Sequence, residues 1–171
     1  MVSQDPFIIA EIGINHNGSL NRALRLIDAA KMSGASAVKF QTYITEKRVK
    51  NKSPIFEILK NCELTNEDFI KIKNYCDRKK ILFFSTPFDP ESVNFLNKLN
   101  VKLFKIASFN ISHYRLIDEI IKTKKPTIIS TGMASLREIK KISNKFKNNK
   151  VKYSLLHCIS SYPNKEENSY L

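Results

Sequence analysis

At 171 residues, with 42% apolar and 26% charged side chains, the chain can bury one sizeable core, which excludes fibrous, disordered and membrane-spanning classes. No apolar run approaches the ~20 residues a bilayer requires, and the start MVSQDP lacks the basic and apolar segments of a secretory signal, so a cytoplasmic protein without a membrane partner is expected. The net charge of +13 would suit a nucleic-acid surface, yet Arg78, Lys79, Lys80 and the series Lys140, Lys141, Lys145, Lys147 and Lys150 fall in or after late turns of predicted helices, where cations complement the helix dipole; no nucleic-acid partner is expected, and an acidic small substrate stays compatible.

The first element, FIIAEIGINHNG at 7–18, is an apolar run that ends in an acid, two asparagines, a histidine and two glycines. An unpaired carboxylate is costly inside a core, so Glu11 is expected at the mouth of a strand. The loop NHNG reads as a turn in which Asn17-Gly18 favours positive φ, with His16 inside it. A helix follows over 19–33, capped by Ser19, stopped by Gly34, and apolar along Leu20, Ala23, Leu24, Ile27 and Ala30. Strand AVKFQT at 37–42 leads into a longer excursion, 43–61, with room for a short helix. Thr65 and Asp68 open the next helix as a variant capping box, and Phe69, Ile72 and Cys76 form its inner stripe up to Lys79.

Strand ILFFST at 81–86 precedes a helix begun by Asp89 with Pro90 in the first helical position, where the missing amide hydrogen costs little. Strand KLFKIAS at 102–108 precedes a helix that follows Ser112, as its candidate cap, through Lys122, with His113 on the surface at its start. Strand PTIIST at 126–131 is followed by a helix from Ser135, where Glu138 completes a capping box. A sixth strand lies within VKYSLLHCISS at 151–161, and SSYPNKEENSYL reads as a loop leaving it.

Apolar strands alternating with helices, at a repeat of about 25 residues, indicate α/β architecture with a parallel sheet. Two closures are open at this point: a doubly wound sheet and a (β/α)8 TIM barrel. No G-x-G-x-x-G or P-loop sequence occurs, which weakens nucleotide readings. The barrel needs eight strands and ~250 residues, whereas about six strands precede Leu171, so the chain reads as cut short. Cys62, Cys76 and Cys158 are odd in number and lack a CxxC pair, and are expected as reduced thiols.

If the strands lie side by side, Glu11, Lys39, Gln41, Ser85, Thr86, Lys105, Ser108, Ser130, Thr131, His157 and Ser160 converge on one rim. Two lysines supply charge and the hydroxyls supply hydrogen bonds, a composition suited to phosphate or carboxylate. Each lysine alone could snorkel to solvent, but VKF and FKI embed Lys39 and Lys105 among apolar neighbours. The hydroxyls at 85, 86, 130 and 131 could instead cap the following helices. His157 reads equally as a ligand or a packed rim residue, and the three histidines show no metal-ligand spacing.

Taken together, EIGINHNG, VKFQTY, STPFDPES, FKIAS, IISTGMAS and LLHCISSYP resemble the N-acetylneuraminate synthase family, which includes legionaminic and pseudaminic acid synthases. The resemblance covers 7–163 and favours the barrel. It implies residues 1–171 are the amino-terminal part of one synthase barrel, truncated after about six strands, with the remaining units and an antifreeze-like domain absent. The implied reaction condenses phosphoenolpyruvate with an open-chain N-acylated amino sugar, needs Mn2+ or Mg2+, and releases phosphate. By motif, Glu11 resembles the family's acidic catalytic residue. Lys39, Thr86, Lys105, Ser108, Ser130 and Ser160 resemble its phosphoenolpyruvate ligands, with Gln41 beside them, and Tyr162 the tyrosine facing the sugar.

Asn110 stands where the family carries a carboxylate, and an amide cannot act as general base. The family's metal-binding histidines follow strand six, so no metal ligand is assigned here. A homodimer is implied for the complete protein, and no synthase activity for this polypeptide alone. A Schiff-base aldolase using Lys39 or Lys105 and a non-catalytic basic fragment binding acidic ligands are the competing readings.

Overall fold

A computed structural model describes residues 6–169, so the reading of residues 1–5 as free of a secretory signal, and the last two residues of the terminal loop, lie outside the described residues. The chain divides after Val101 into two compact units.

The first unit runs β1 (Ile9–Gly13), α1 (Leu20–Met32), β2 (Ala37–Thr42), α2 (Thr45–Arg48), α3 (Phe56–Cys62), α4 (Asn66–Lys79), β3 (Leu82–Pro87) and α5 (Pro90–Lys98). β2 lies between β1 and β3, and all three are parallel, with Glu11 opposite Lys39 and Gln41 opposite Thr86. Because strand side chains alternate, Phe40 and Phe83 project to one face, while Lys39 and Gln41 project to the other. On the apolar face the Phe40 ring lies 5.6 Å from Phe83 and 6.4 Å from Phe69 of α4. α1 packs on α4; Ala23 and Ile27 of α1 and Ile72 and Cys76 of α4 are buried.

The second unit runs β4 (Phe104–Ile106), a 3-10 turn (Ser108–Asn110), α6 (Tyr114–Lys122), β5 (Thr127–Ser130), α7 (Leu136–Asn148), β6 (Tyr153–Leu156) and a second 3-10 turn (Glu166–Asn168). β5 pairs in parallel with β4 and with β6. α6 buries Leu116, Ile117, Ile120 and Ile121 as one stripe, the 3.6-residue pattern of a core-facing helix.

Helix starts follow the expected chemistry at Ser19, at Asp89, and at the complete capping boxes of Thr65 with Asp68 and Ser135 with Glu138. α6 starts later than expected: His113 is its N-cap, its Nδ1 accepting from the Leu116 amide at 3.1 Å. The excursion holds two short helices, α2 and α3, rather than one. β4 is only three residues long, because the chain turns into the 3-10 segment straight after Ala107.

Helix exits share one design. α1, α4, α5, α6 and α7 are each followed by a residue with left-handed backbone: Gly34, Lys80, Asn100, Lys124 and Lys150, with φ between 53° and 81°. In four cases the next residue is apolar and buried and returns its amide five residues back, as Ile81 does to the Cys76 carbonyl at 3.1 Å and Val151 to Phe146 at 3.1 Å. That is a Schellman stop, and its buried residue starts the run into the next strand.

Candidate functional site

In the first unit the polar face of the sheet gathers a set of charged and amide groups. Glu11 lies in the middle of β1, not at its mouth as the sequence suggested. Its carboxylate stays tolerable there because its side chain is 52% exposed and its Oε2 meets Lys39 Nζ at 2.5 Å. Lys39, 12% exposed along its side chain, also donates to Thr86 Oγ1 at 3.2 Å. Its ammonium is thus held by one acid and one hydroxyl rather than snorkelling freely.

Gln41 lies two residues along β2 on the same face, and its Oε1 accepts from Arg48 Nη1 at 3.1 Å. Gly13 sits beneath: a Cβ there would come 3.2 Å from Glu11 Oε1 and 3.6 Å from Gln41 Nε2, and its φ of +55° already disfavours other residues. Space above Gly13 is therefore bordered by one acceptor and one amide nitrogen. Arg48 itself is flanked by aromatic rings, its guanidinium carbon 3.8 Å from the Phe88 centroid and 4.6 Å from that of Tyr43. Burial lowers the Arg48 pKa, opposed by the Tyr43 charge, and burial above all pushes the Tyr43 phenol up to about 12. The Tyr43 hydroxyl donates to the Leu59 carbonyl at 2.9 Å.

His16 is 1% exposed, stacked 5.9 Å from Phe40. Its Nδ1 accepts from the Gly18 amide at 3.2 Å, and its Nε2 has no hydrogen-bond partner within reach. Burial lowers its pKa below 6.5, with the Gly13 backbone pulling weakly the other way. A depressed folded value means the unfolded chain takes up the proton first. The contribution to stability is therefore full above pH 6.5 and lost as pH falls through the lowered folded value. Urea unfolding midpoints of the protein are expected to drop between neutrality and about pH 5, and His16→Gln should flatten that drop; parallel pH profiles for the two would remove His16 from the account.

In the second unit Lys105 is 7% exposed at the centre of β4. Its ammonium donates to Ser130 Oγ at 2.5 Å and to the Ile106 carbonyl at 2.9 Å. Ser108 and Asn110 lie on the turn that follows β4. Asn110 is 5% exposed, and its Nδ2 has no hydrogen-bond partner, an unmet donor in a buried position. The loops after β5 and β6 touch: a Cβ on Gly132 would fall 2.8 Å from Ser160 Oγ, and Thr131 Oγ1 donates to the Leu156 carbonyl at 2.8 Å.

The structure thus brings together Glu11, Lys39, Gln41 and Thr86 in one unit, and Lys105 with Ser130 in the other. Tyr162 is 98% exposed. Ser85 belongs elsewhere, buried on the opposite face with its hydroxyl 2.7 Å from Thr42 Oγ1. Thr86 and Ser130 serve the lysines; the caps of the following helices are Asp89 and Ser135. His157, on neither a strand nor a packed rim, meets the Ser169 carbonyl at 2.8 Å. Arg48 was missed, because it lies in the 43–61 excursion, which was read only as having room for a short helix; the aromatic residues Tyr43 and Phe88 gave the available signal. Among the described residues no three His, Cys, Asp or Glu side chains stand close enough to hold a metal, and no helix is long and apolar enough to cross a membrane.

The model of the NeuB family matches residues 26–171. An uncharacterised protein of Methanocaldococcus jannaschii is 46% identical over 158 residues, covering 92% of this chain and 47% of its own length. The N,N'-diacetyllegionaminic acid synthase of Legionella pneumophila is 41% identical over 176 residues, with 92% of this chain and 49% of the enzyme covered. The crystal structure of an N-acetylneuraminic acid synthetase from Leptospira borgpetersenii, in complex with citrate, superposes with a TM-score of 0.94 at 40% identity, over 98% of this chain and 59% of that one. The chain spans about half the length of the curated relatives it matches.

Proposed function

Because the chain belongs to the NeuB family, whose barrel fold its six parallel βα strands carry, we propose that it forms the amino-terminal part of a nonulosonic acid synthase. The reaction joins phosphoenolpyruvate to an open-chain N-acylated amino sugar: C3 of the enol attacks the aldehyde carbon, water adds at C2, and the phosphate leaves. The observation that carries this reading is the pair of lysines held in place on strands, Lys39 on Glu11 and Thr86, and Lys105 on Ser130. Both are oriented cation donors, the equipment an anionic substrate requires.

In this reading Lys39, Thr86, Lys105, Ser108, Ser130 and Ser160 bind phosphoenolpyruvate. Glu11 and Gln41 orient the sugar or the attacking water, and Tyr162 faces the sugar. Asn110 contributes its unmet amide donor where an acid would have moved a proton. The family's Mn2+ or Mg2+ does not fit a cluster of the described residues, and no step is assigned to it. The protein works in the cytoplasm, as a homodimer when complete, on small molecules rather than nucleic acid. The competing Schiff-base route would make one of these lysines the nucleophile toward a carbonyl, and borohydride trapping separates the two.

Two measurements test the proposal. Calorimetric titration of the 171-residue chain should detect binding of phosphoenolpyruvate. Fusion to the carboxyl-terminal half of the Legionella relative should restore metal-dependent phosphate release with an acceptor sugar, while the unfused chain releases none. Absence of phosphoenolpyruvate binding, or a lysine adduct trapped by borohydride with pyruvate, overturns the proposal.

A further inference from the structure

A guanidinium carries only donors, so the Gln41 atom that faces Arg48 at 3.1 Å must be the amide oxygen. Without that partner the carboxamide could present either end to a ligand, since its oxygen and nitrogen occupy similar volumes. With it, one orientation is selected. Arg48 is itself packed over the Phe88 and Tyr43 rings, and Tyr43 is tied to α3 through the Leu59 carbonyl. The Gln41 nitrogen then borders the space above Gly13, beside Glu11 Oε1.

We propose that Arg48 is a positioning residue of this site: it fixes the Gln41 carboxamide so that the amide nitrogen is a committed hydrogen-bond donor to a hydroxyl or acyl oxygen of the sugar substrate. The proposal rests on the synthase reading for the identity of that substrate, but not for the orientation of the amide. Glu11 Oε1 next to it accepts, so the pair is matched to neighbouring hydroxyls of a polyol, one receiving and one donating a hydrogen bond. Selectivity follows from the lock. A substrate lacking an acceptor oxygen at that place leaves the amide nitrogen unpaired, and a freely flipping amide would not discriminate.

The test uses the 171-residue chain with Arg48→Ala and, because the alanine variant loses ring packing, Arg48→Lys, which keeps a cation over the rings but lacks the fork. Side-chain amide NMR of Gln41 is the first readout. Its resonances should move toward those of a free glutamine in both variants, and added guanidinium ion should restore them in Arg48→Ala. Titration with N-acetylmannosamine and with phosphoenolpyruvate as probes is the second. Sugar affinity should fall about tenfold or more in the variants, with phosphoenolpyruvate affinity unchanged. An unmoved Gln41 signal, or equal losses for both probes, overturns the proposal. If the unsubstituted chain binds neither probe, the synthase reading fails while the Gln41 signal still decides the role of Arg48.

Discussion

Replacing Lys105 with methionine is expected to abolish measurable phosphoenolpyruvate binding while leaving the stability of the fold nearly unchanged. Lys105 is 7% exposed, so its ammonium bears a desolvation cost, against which its bonds to Ser130 and Ile106 count. Methionine fills similar volume without charge, and the two acceptors left behind each lose a bond worth about 1 kcal/mol. These terms nearly cancel. Binding has no such compensation: losing a desolvated charge partner of an anion costs about 3 kcal/mol or more, on the order of a hundredfold in affinity. Lys102→Met is the control, since it makes the same change in net charge at an exposed position. Equal affinity losses in the two variants, or none in Lys105→Met, would show that Lys105 is structural only. Calorimetry for binding and urea unfolding for stability separate the possibilities.

Phe40→Ala should be the most destabilising simple truncation of the first unit, by about 3–5 kcal/mol. The side chain is fully buried at the centre of β2, and its ring meets His16, Phe69 and Phe83. Removing it takes away apolar burial and leaves a cavity that strand and helix backbones cannot close. A loss of that size is a large part of the 5–15 kcal/mol typical of a domain. Phe7→Ala, at a 55% exposed position, should stay within about 0.5 kcal/mol. If chemical unfolding gives similar values for both, the core assignment is wrong.

Most of the element order was legible because it rests on local rules: Ser19, Thr65, Asp89 and Ser135 announce helices in the residues themselves. His113 was not, since imidazole is an uncommon cap and Ser112 offered a commoner one. The lysine-centred groups were legible because a lysine between apolar residues on a strand must find a partner. What the sequence could not supply was which partner. Ser85 and Thr86 are adjacent and chemically alike, yet alternation sends one to Thr42 in the core and the other to Lys39. A one-residue difference in register would exchange them. Arg48 was invisible for a related reason, because its role depends on Phe88, 40 positions away, closing over it.

The left-handed exits of the helices bear on how far this protein lies from its stability ceiling. Lys80, Lys124 and Lys150 carry a side chain in a backbone region that costs an ordinary residue about 1 kcal/mol, while Gly34 holds the equivalent place without that cost. The three strained stops follow different helices, α4, α6 and α7, and none of the three contacts the Glu11 or Lys105 groups through any bond described above. They amount to a tuning reserve: thermal tolerance can be raised stepwise at the helix exits, by lineage or by engineer, without altering the groups that would meet a substrate.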